Sequence, residues 1–126
     1  NAHGIERKIP TEFGLLTSLK QLHLDTNFIS GSIPTELGQL AELQALSLKQ
    51  NVLIEGTLPT ELAQLPYLIY LDVSATGLTD VQAYCDAKEG SEDIGLFVVA
   101  NCKGTDLNCS CCANCCTWLG NECEDV

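Results

Sequence analysis

Leucines and their aliphatic equivalents recur along the first two thirds of the chain in a set of spacings that repeats. Leu19-x-x-Leu22-x-Leu24-x-x-Asn27 is matched 24 residues later by Leu43-x-x-Leu46-x-Leu48-x-x-Asn51. A further 25 residues on comes Leu68-x-x-Leu71-x-Val73, with Thr76 in the asparagine position. The alternation in Leu-x-Leu is that of a short strand, whose successive side chains point to opposite faces. So short a strand cannot bury its apolar face alone. The pattern therefore predicts strands stacked side by side in a parallel sheet over one shared aliphatic core.

The second half of each unit repeats as well. Lys8-Ile9-Pro10-Thr11-Glu12-Phe13-Gly14 aligns with Ser32-Ile33-Pro34-Thr35-Glu36-Leu37-Gly38 and with Thr57-Leu58-Pro59-Thr60-Glu61-Leu62-Ala63. The additional residue of the longer step falls between Asn51 and Gly56 and is expected to lengthen a turn at Ile54. The asparagines have a physical role: an amide both donates and accepts, so it can satisfy backbone groups where the strand turns away from its neighbours.

Beyond Leu78 the pattern dissolves and the repeats are expected to stop. Thr79 to Cys85 reads as a short helix entered from a Thr79 or Asp80 cap. A polar loop from Asp86 to Asp93 follows, then Leu96-Phe97-Val98-Val99 as a last strand covering the final repeat, with Cys102 just beyond it. Residues 1–78 are thus assigned to repeats and 79–126 to a Cys-rich C-terminal capping region. Together they form one continuous domain, as a chain of 126 residues suits.

These motifs resemble the plant-type leucine-rich repeat family, whose unit runs L-x-x-L-x-x-L-x-L-x-x-N-x-I-x-G-x-I-P. The resemblance covers roughly residues 5–78, and Asn27-Phe28-Ile29-Ser30-Gly31-Ser32-Ile33-Pro34 follows the family's turn closely. It implies an α/β solenoid: a short right-handed superhelix of about three and a half repeats with a parallel concave sheet and a disulfide-rich cap. Relatives serve as receptor ectodomains, cell-wall enzyme inhibitors and adhesion modules, so the resemblance implies recognition. The chain starts inside a repeat, with His3 near the asparagine position. Ile5, Ile9 and Phe13 are then expected to form a bare apolar rim, a surface for self-association at the uncapped N-terminal end.

Charge narrows the partners. With 17 acidic against 6 basic residues the net charge is −11, which repels phosphate backbones and anionic lipid headgroups. Nucleic acid and membrane surfaces are excluded as expected partners. Direct membrane insertion is excluded too, because the longest apolar run, Ile94 to Ala100, is far short of the ~20 residues a bilayer requires. The chain opens on Asn1 and shows no charged-then-apolar leader, so a leader is expected to have been removed.

All eight cysteines lie in the last third, at Cys85, Cys102, Cys109, Cys111, Cys112, Cys115, Cys116 and Cys123. An even, clustered set beside such repeats reads as a disulfide framework, which persists in an oxidising compartment. The protein is expected to be secreted or a cell-surface ectodomain. If the Cys109–Cys116 segment is helical, Cys111 and Cys115 share one face and Cys112 and Cys116 the next, with Cys85, Cys102, Cys109 and Cys123 as bridge partners. Eight cysteines allow 105 pairings, so connectivity stays open. This end is similar to the C-terminal module of extracellular leucine-rich repeat proteins of diatoms and related algae. Cys109-x-x-Cys112 and Cys112-x-x-Cys115 also have zinc-ligand spacing, but secreted-type surroundings favour bridges, and no metal or cofactor is expected. No thioredoxin-like pattern surrounds the C-x-x-C to suggest redox activity.

The strand face opposite the leucines carries Gln21, His23 and Asp25, then Ala45, Ser47 and Lys49, then Tyr70, Asp72 and Ser74. With strands ~4.8 Å apart, these make a flat polar grid with one aromatic, the expected site for a protein, peptide or glycan ligand. A merely solvated face is the competing reading, and Tyr70 favours binding because an aromatic offers contact area at little entropic cost. His23, Ser47 and Asp72 fall on equivalent positions of three strands, superficially a hydrolase triad. Serine, not histidine, would be central, so no catalysis is expected. A structural or adhesive role, or inhibition of a secreted cell-wall hydrolase, are the alternative functions. Asn108-Cys109-Ser110 fits a glycosylation sequon whose middle residue is a bridge candidate, and Trp118 is a candidate plug for the cap.

Overall fold

The computed structural model describes residues 7–88, 96–102, 107–116 and 123–125. His3, Ile5 and Trp118 lie outside them.

Each repeat supplies one strand to a parallel sheet: β1 (Gln21–His23), β3 (Ala45–Ser47) and β5 (Tyr70–Asp72) pair in register, Leu22 with Leu46 with Leu71. That row turns inward, as do the aliphatic residues two positions further on. Leu46, Leu48, Leu71 and Val73 are buried in one aliphatic cluster with Leu37, Leu40, Leu62 and Leu65 from the return segments. A buried side chain of this size is worth about 1.5–3 kcal/mol of transfer free energy, so the shared interior is what holds these short strands.

Where each strand ends, the chain reverses through a left-handed residue: Thr26 (φ 56°), Gln50 (φ 64°) and Ala75 (φ 55°), each just before the asparagine position. For a residue with a Cβ this conformation costs roughly 1–2 kcal/mol. Asn51 offsets it. Its Oδ1 accepts from the backbone N–H of Asn27 (2.9 Å) and Ile29 (3.0 Å), and its Nδ2 donates to the carbonyls of Leu24 (2.7 Å) and Leu48 (2.9 Å).

A second, three-stranded parallel sheet lines the turns that follow, with β4 (Leu53–Thr57) between β2 (Ser30–Gly31) and β6 (Gly77–Asp80). The extra residue of the longer repeat is accommodated here, though not at Ile54. Ile54 is 1% exposed and packed in the core, while Val52 and Leu53 stand out to solvent at 49% and 51%. The added length bulges outward at these two side chains.

The Pro-Thr-Glu segments form 3-10 helices at Thr11–Leu15, Thr35–Gln39 and Thr60–Gln64. In each the proline is the N-cap in extended conformation, and its carbonyl accepts from the N–H three residues on, as in Leu37 N–H to Pro34 O at 3.2 Å. Neighbouring helices touch through their glycines. A Cβ on Gly14 would lie 2.5 Å from the Glu36 carbonyl oxygen, and one on Gly38 would lie 2.8 Å from Glu61 Cβ. The third copy has Ala63 instead, and it packs against α1 (Gln82–Lys88), whose Lys88 Nζ donates to the Ala63 carbonyl at 3.2 Å.

The helix expected over Thr79–Cys85 begins later and runs further, to Lys88. Asp80 is its cap, the Oδ1 accepting from Ala83 N–H at 3.3 Å, while Thr79 belongs to β6. The parallel sheet also continues past Leu78, where the repeats were expected to stop. β7 (Phe97–Ala100) pairs with β5, and β8 (Asn114–Cys116) pairs with β7 in the same direction. The strand expected at Leu96–Val99 is thus present and covers the final repeat, but it is not the last. An antiparallel strand, β9 (Cys123–Asp125), completes the six-stranded order β1-β3-β5-β7-β8-β9.

Two expectations about the ends are corrected. Ile9 is buried in the core and Phe13 is half-buried. The exposed apolar shelf at the N-terminal end is formed instead by Leu15 and Leu16 beside Leu19. The segment weighed as a cysteine-rich helix is a turn and a strand: Asn114 to Cys116 lies in β8.

Candidate functional site

The register of the large sheet fixes the site. Gln21, Ala45, Tyr70 and Phe97 form one row across β1, β3, β5 and β7, and His23, Ser47, Asp72, Val99 and Asn114 form the next. Asp25, Lys49 and Ser74 follow the three strand ends two residues further on. The grid is not flat. Gln21 and His23 on β1 and Asp25 beyond it are exposed, Ala45 and Lys49 half so, but Ser47, Asp72 and Ser74 are only 2%, 5% and 1% exposed.

Asp72 is buried because it is engaged. Its Oδ1 accepts from Ser74 N–H at 3.0 Å and from Ser74 Oγ at 2.6 Å, and its Oδ2 accepts from the Tyr70 hydroxyl at 2.9 Å. Bonds to a charged acceptor are stronger than neutral ones, which is what keeps a carboxylate tolerable at this depth. The arrangement fixes the Tyr70 ring, which stacks on Phe97 with centroids 6.2 Å apart and planes 11° apart. Burial, then the negative charge of Asp72 and its bond, then Asp25, push the Tyr70 phenol up from 10.0 to about 12. At neutral pH it remains a hydrogen-bond donor locked onto its acid.

The outcome is a polar network under an aromatic pair, with Phe97 39% exposed. Phe97 escaped the sequence-based grid because it was assigned to a covering strand. The signal was present: Leu96, Val98 and Ala100 alternate inward, which turns Phe97 and Val99 to the face shared with Tyr70 and Asp72. Asn101 was missed for a subtler reason. It is buried and does for the third turn what Asn51 does for the first, accepting from Ala75 N–H and donating to the Thr76 carbonyl at 2.9 Å. Repeat spacing from Val98 and Ala100 points to position 103 for that role, two residues too late.

His23, Ser47 and Asp72 do sit in one row with serine in the middle. Both Asp72 oxygens are occupied by Tyr70 and Ser74.

All eight cysteines are paired: Cys85–Cys111, Cys102–Cys115, Cys109–Cys112 and Cys116–Cys123. The sulfurs of Cys85, Cys109 and Cys111 lie within 4.8 Å of one another, a spacing that could hold a metal ion. Each is committed to a bridge, and a disulfide sulfur is not the thiolate a metal binds. Cys85–Cys111 fastens α1 to the segment leading into β8, Cys102–Cys115 fastens the chain just beyond β7 to β8 itself, and Cys116–Cys123 fastens β8 to β9.

A family model described as Leucine Rich Repeat matches residues 18–40, which span β1, the Asn27 turn and the second 3-10 helix. No curated protein matches the chain. A leucine-rich repeat is therefore present, in an α/β repeat-type fold with parallel strands and a disulfide-bonded C-terminal region. Such repeats point to protein interaction, and several disulfides point to an extracellular setting. Among the described residues no helix is long and apolar enough to cross a membrane.

Proposed function

We propose that this chain is a plant-type leucine-rich repeat solenoid that works outside the cell, without catalysis, by binding a protein, peptide or glycan on the sheet face opposite its leucines. The observation that carries the reading is the Tyr70–Phe97 stack, anchored by Asp72 and Ser74. Aromatic surface held rigid before binding is contact area with little conformational entropy left to lose. Gln21 and His23 on β1 and Asp25 just beyond it supply exposed polar groups beside it, and Lys49 contributes a cation at the next strand's end.

The reading is tested by screening the protein against a glycan array and a displayed peptide library, then repeating each hit with Y70A, F97A and H23A. Loss of an aromatic anchor is expected to weaken binding about tenfold or more, since roughly 1.4 kcal/mol corresponds to one decade. Hits retained equally by all three variants would sink this face as the site and favour a structural role.

A further inference from the structure

We propose that Asn108 is an N-glycosylation site, and that its glycan projects from the flank of α1, away from the binding face. Asn108-Cys109-Ser110 is the chain's one match to Asn-x-Ser/Thr. The structure presents it as an acceptor should be presented. From Leu107 into the turn at Ser110–Cys111, Leu107, Cys109 and Cys111 are half-buried, while Asn108 and Ser110 are exposed. The amide and the hydroxyl that the reaction requires are thus both at the surface, and a sugar on Asn108 displaces no packed group. Other asparagines are used differently, for Asn51 and Asn101 are buried and bonded to backbone.

The position of the sequon follows from its contacts. Ser110 N–H donates to Gln82 Oε1 at 2.9 Å, and Gln82 Nε2 donates to Ser110 Oγ at 2.7 Å, which fixes the segment against α1. Cys85 of α1 lies in the leucine-side core cluster with Leu71 and Val98. A glycan on Asn108 therefore leaves Tyr70 and Phe97, on the opposite face of the sheet, open to a ligand.

The modification is a group transfer without oxidation or reduction, from a polyprenyl-diphosphate-linked oligosaccharide. A bond forms between Asn108 Nδ2 and the anomeric carbon. The bond from that carbon to the diphosphate oxygen breaks, the polyprenyl diphosphate leaves with the electron pair, and the nitrogen releases one proton. In the folded cap Ser110 is held by Gln82 and Cys109 is bridged to Cys112. Transfer accordingly precedes closure of the cap, while the chain enters an oxidising lumen.

The inference rests on the extracellular reading above, and one experiment separates the two. The chain is expressed behind a cleavable leader in a eukaryotic secretory host and recovered from the medium. It is digested with a glycan-removing amidase in heavy-oxygen water, and the same sample is alkylated to count free thiols. We expect a mass decrease on digestion, an Asn-to-Asp conversion carrying heavy oxygen at position 108, and no free thiol. N108Q and S110A abolish the shift, and S110T retains it. Secreted wild type with all four bridges formed and Asn108 unmodified overturns the glycosylation site alone. Unmodified Asn108 together with free thiols overturns the extracellular reading as well.

Discussion

Replacing Asn51 with alanine is expected to be among the most damaging single changes available to this chain. Two backbone N–H groups, of Asn27 and Ile29, lose their acceptor, and the carbonyls of Leu24 and Leu48 lose a donor. A buried polar group left unmade costs about 1–3 kcal/mol. Carbonyls have a second lone pair to fall back on, so the two N–H groups dominate, and a water entering the vacated space recovers part of the loss. The net expectation is about 3–5 kcal/mol, at the upper end for a point mutation. Asn27 occupies the equivalent sequence position but is exposed, its amide donating to the Asp25 carbonyl at 3.1 Å, so N27A is expected to cost about 1 kcal/mol or less. Denaturant unfolding of both variants without reductant, reading midpoint and slope, makes the comparison with the bridges constant. If N51A falls within about 1 kcal/mol of N27A, the account of the turn as an amide-satisfied reversal is wrong.

Two more outcomes follow from geometry. The Tyr70 phenol is raised from 10.0 to about 12, so its contribution to stability is fully present below pH 10 and is lost as the pH rises from 10 toward 12; Y70F should lack that segment of the pH–stability curve, and parallel curves for wild type and variant would contradict the assignment. A Cβ at Gly77 would meet the Ile54 carbonyl oxygen at 2.5 Å and that of Val52 at 3.0 Å, both backbone atoms of β4 and the turn before it, whereas one at Gly56 (φ +85°) meets open space beyond Ser32 Cβ at 3.9 Å. G77A should therefore cost about 2–4 kcal/mol by prising β6 from β4, and G56A about 1–2 kcal/mol from backbone strain, with equal thermal shifts speaking against the close approach.

The repeating half of the molecule was legible because its two signals coincide. Leu22, Leu46 and Leu71 share a period and land in one register row, and Asn51 sits where an amide is most needed. Legibility failed where a spacing had two physical solutions. Cysteines four apart fit one face of a helix, but the bridges from Cys111 to Cys85 and from Cys115 to Cys102 hold the segment in a form that enters the sheet as β8. The small sheet carried no apolar alternation of its own, since Ser30, Gly31, Gly56 and Gly77 occupy its strands. Depth within the polar face of the sheet was equally hidden. Nothing in the letters says that Asp72 and Ser74 are sunk beneath Tyr70, because that follows from which side chains bond to each other and not from which face they share.

The reversal of direction at β9 has a meaning for growth of the array. A parallel strand hands its neighbour the same ladder of donors and acceptors that it received, so units of this kind can be inserted between existing ones without altering either flank. β9 hands on a different ladder, and Cys116–Cys123 pins it to β8. Another 24-residue module set among β1, β3 and β5 would meet the parallel ladder it needs on both sides, whereas β9 presents an antiparallel one.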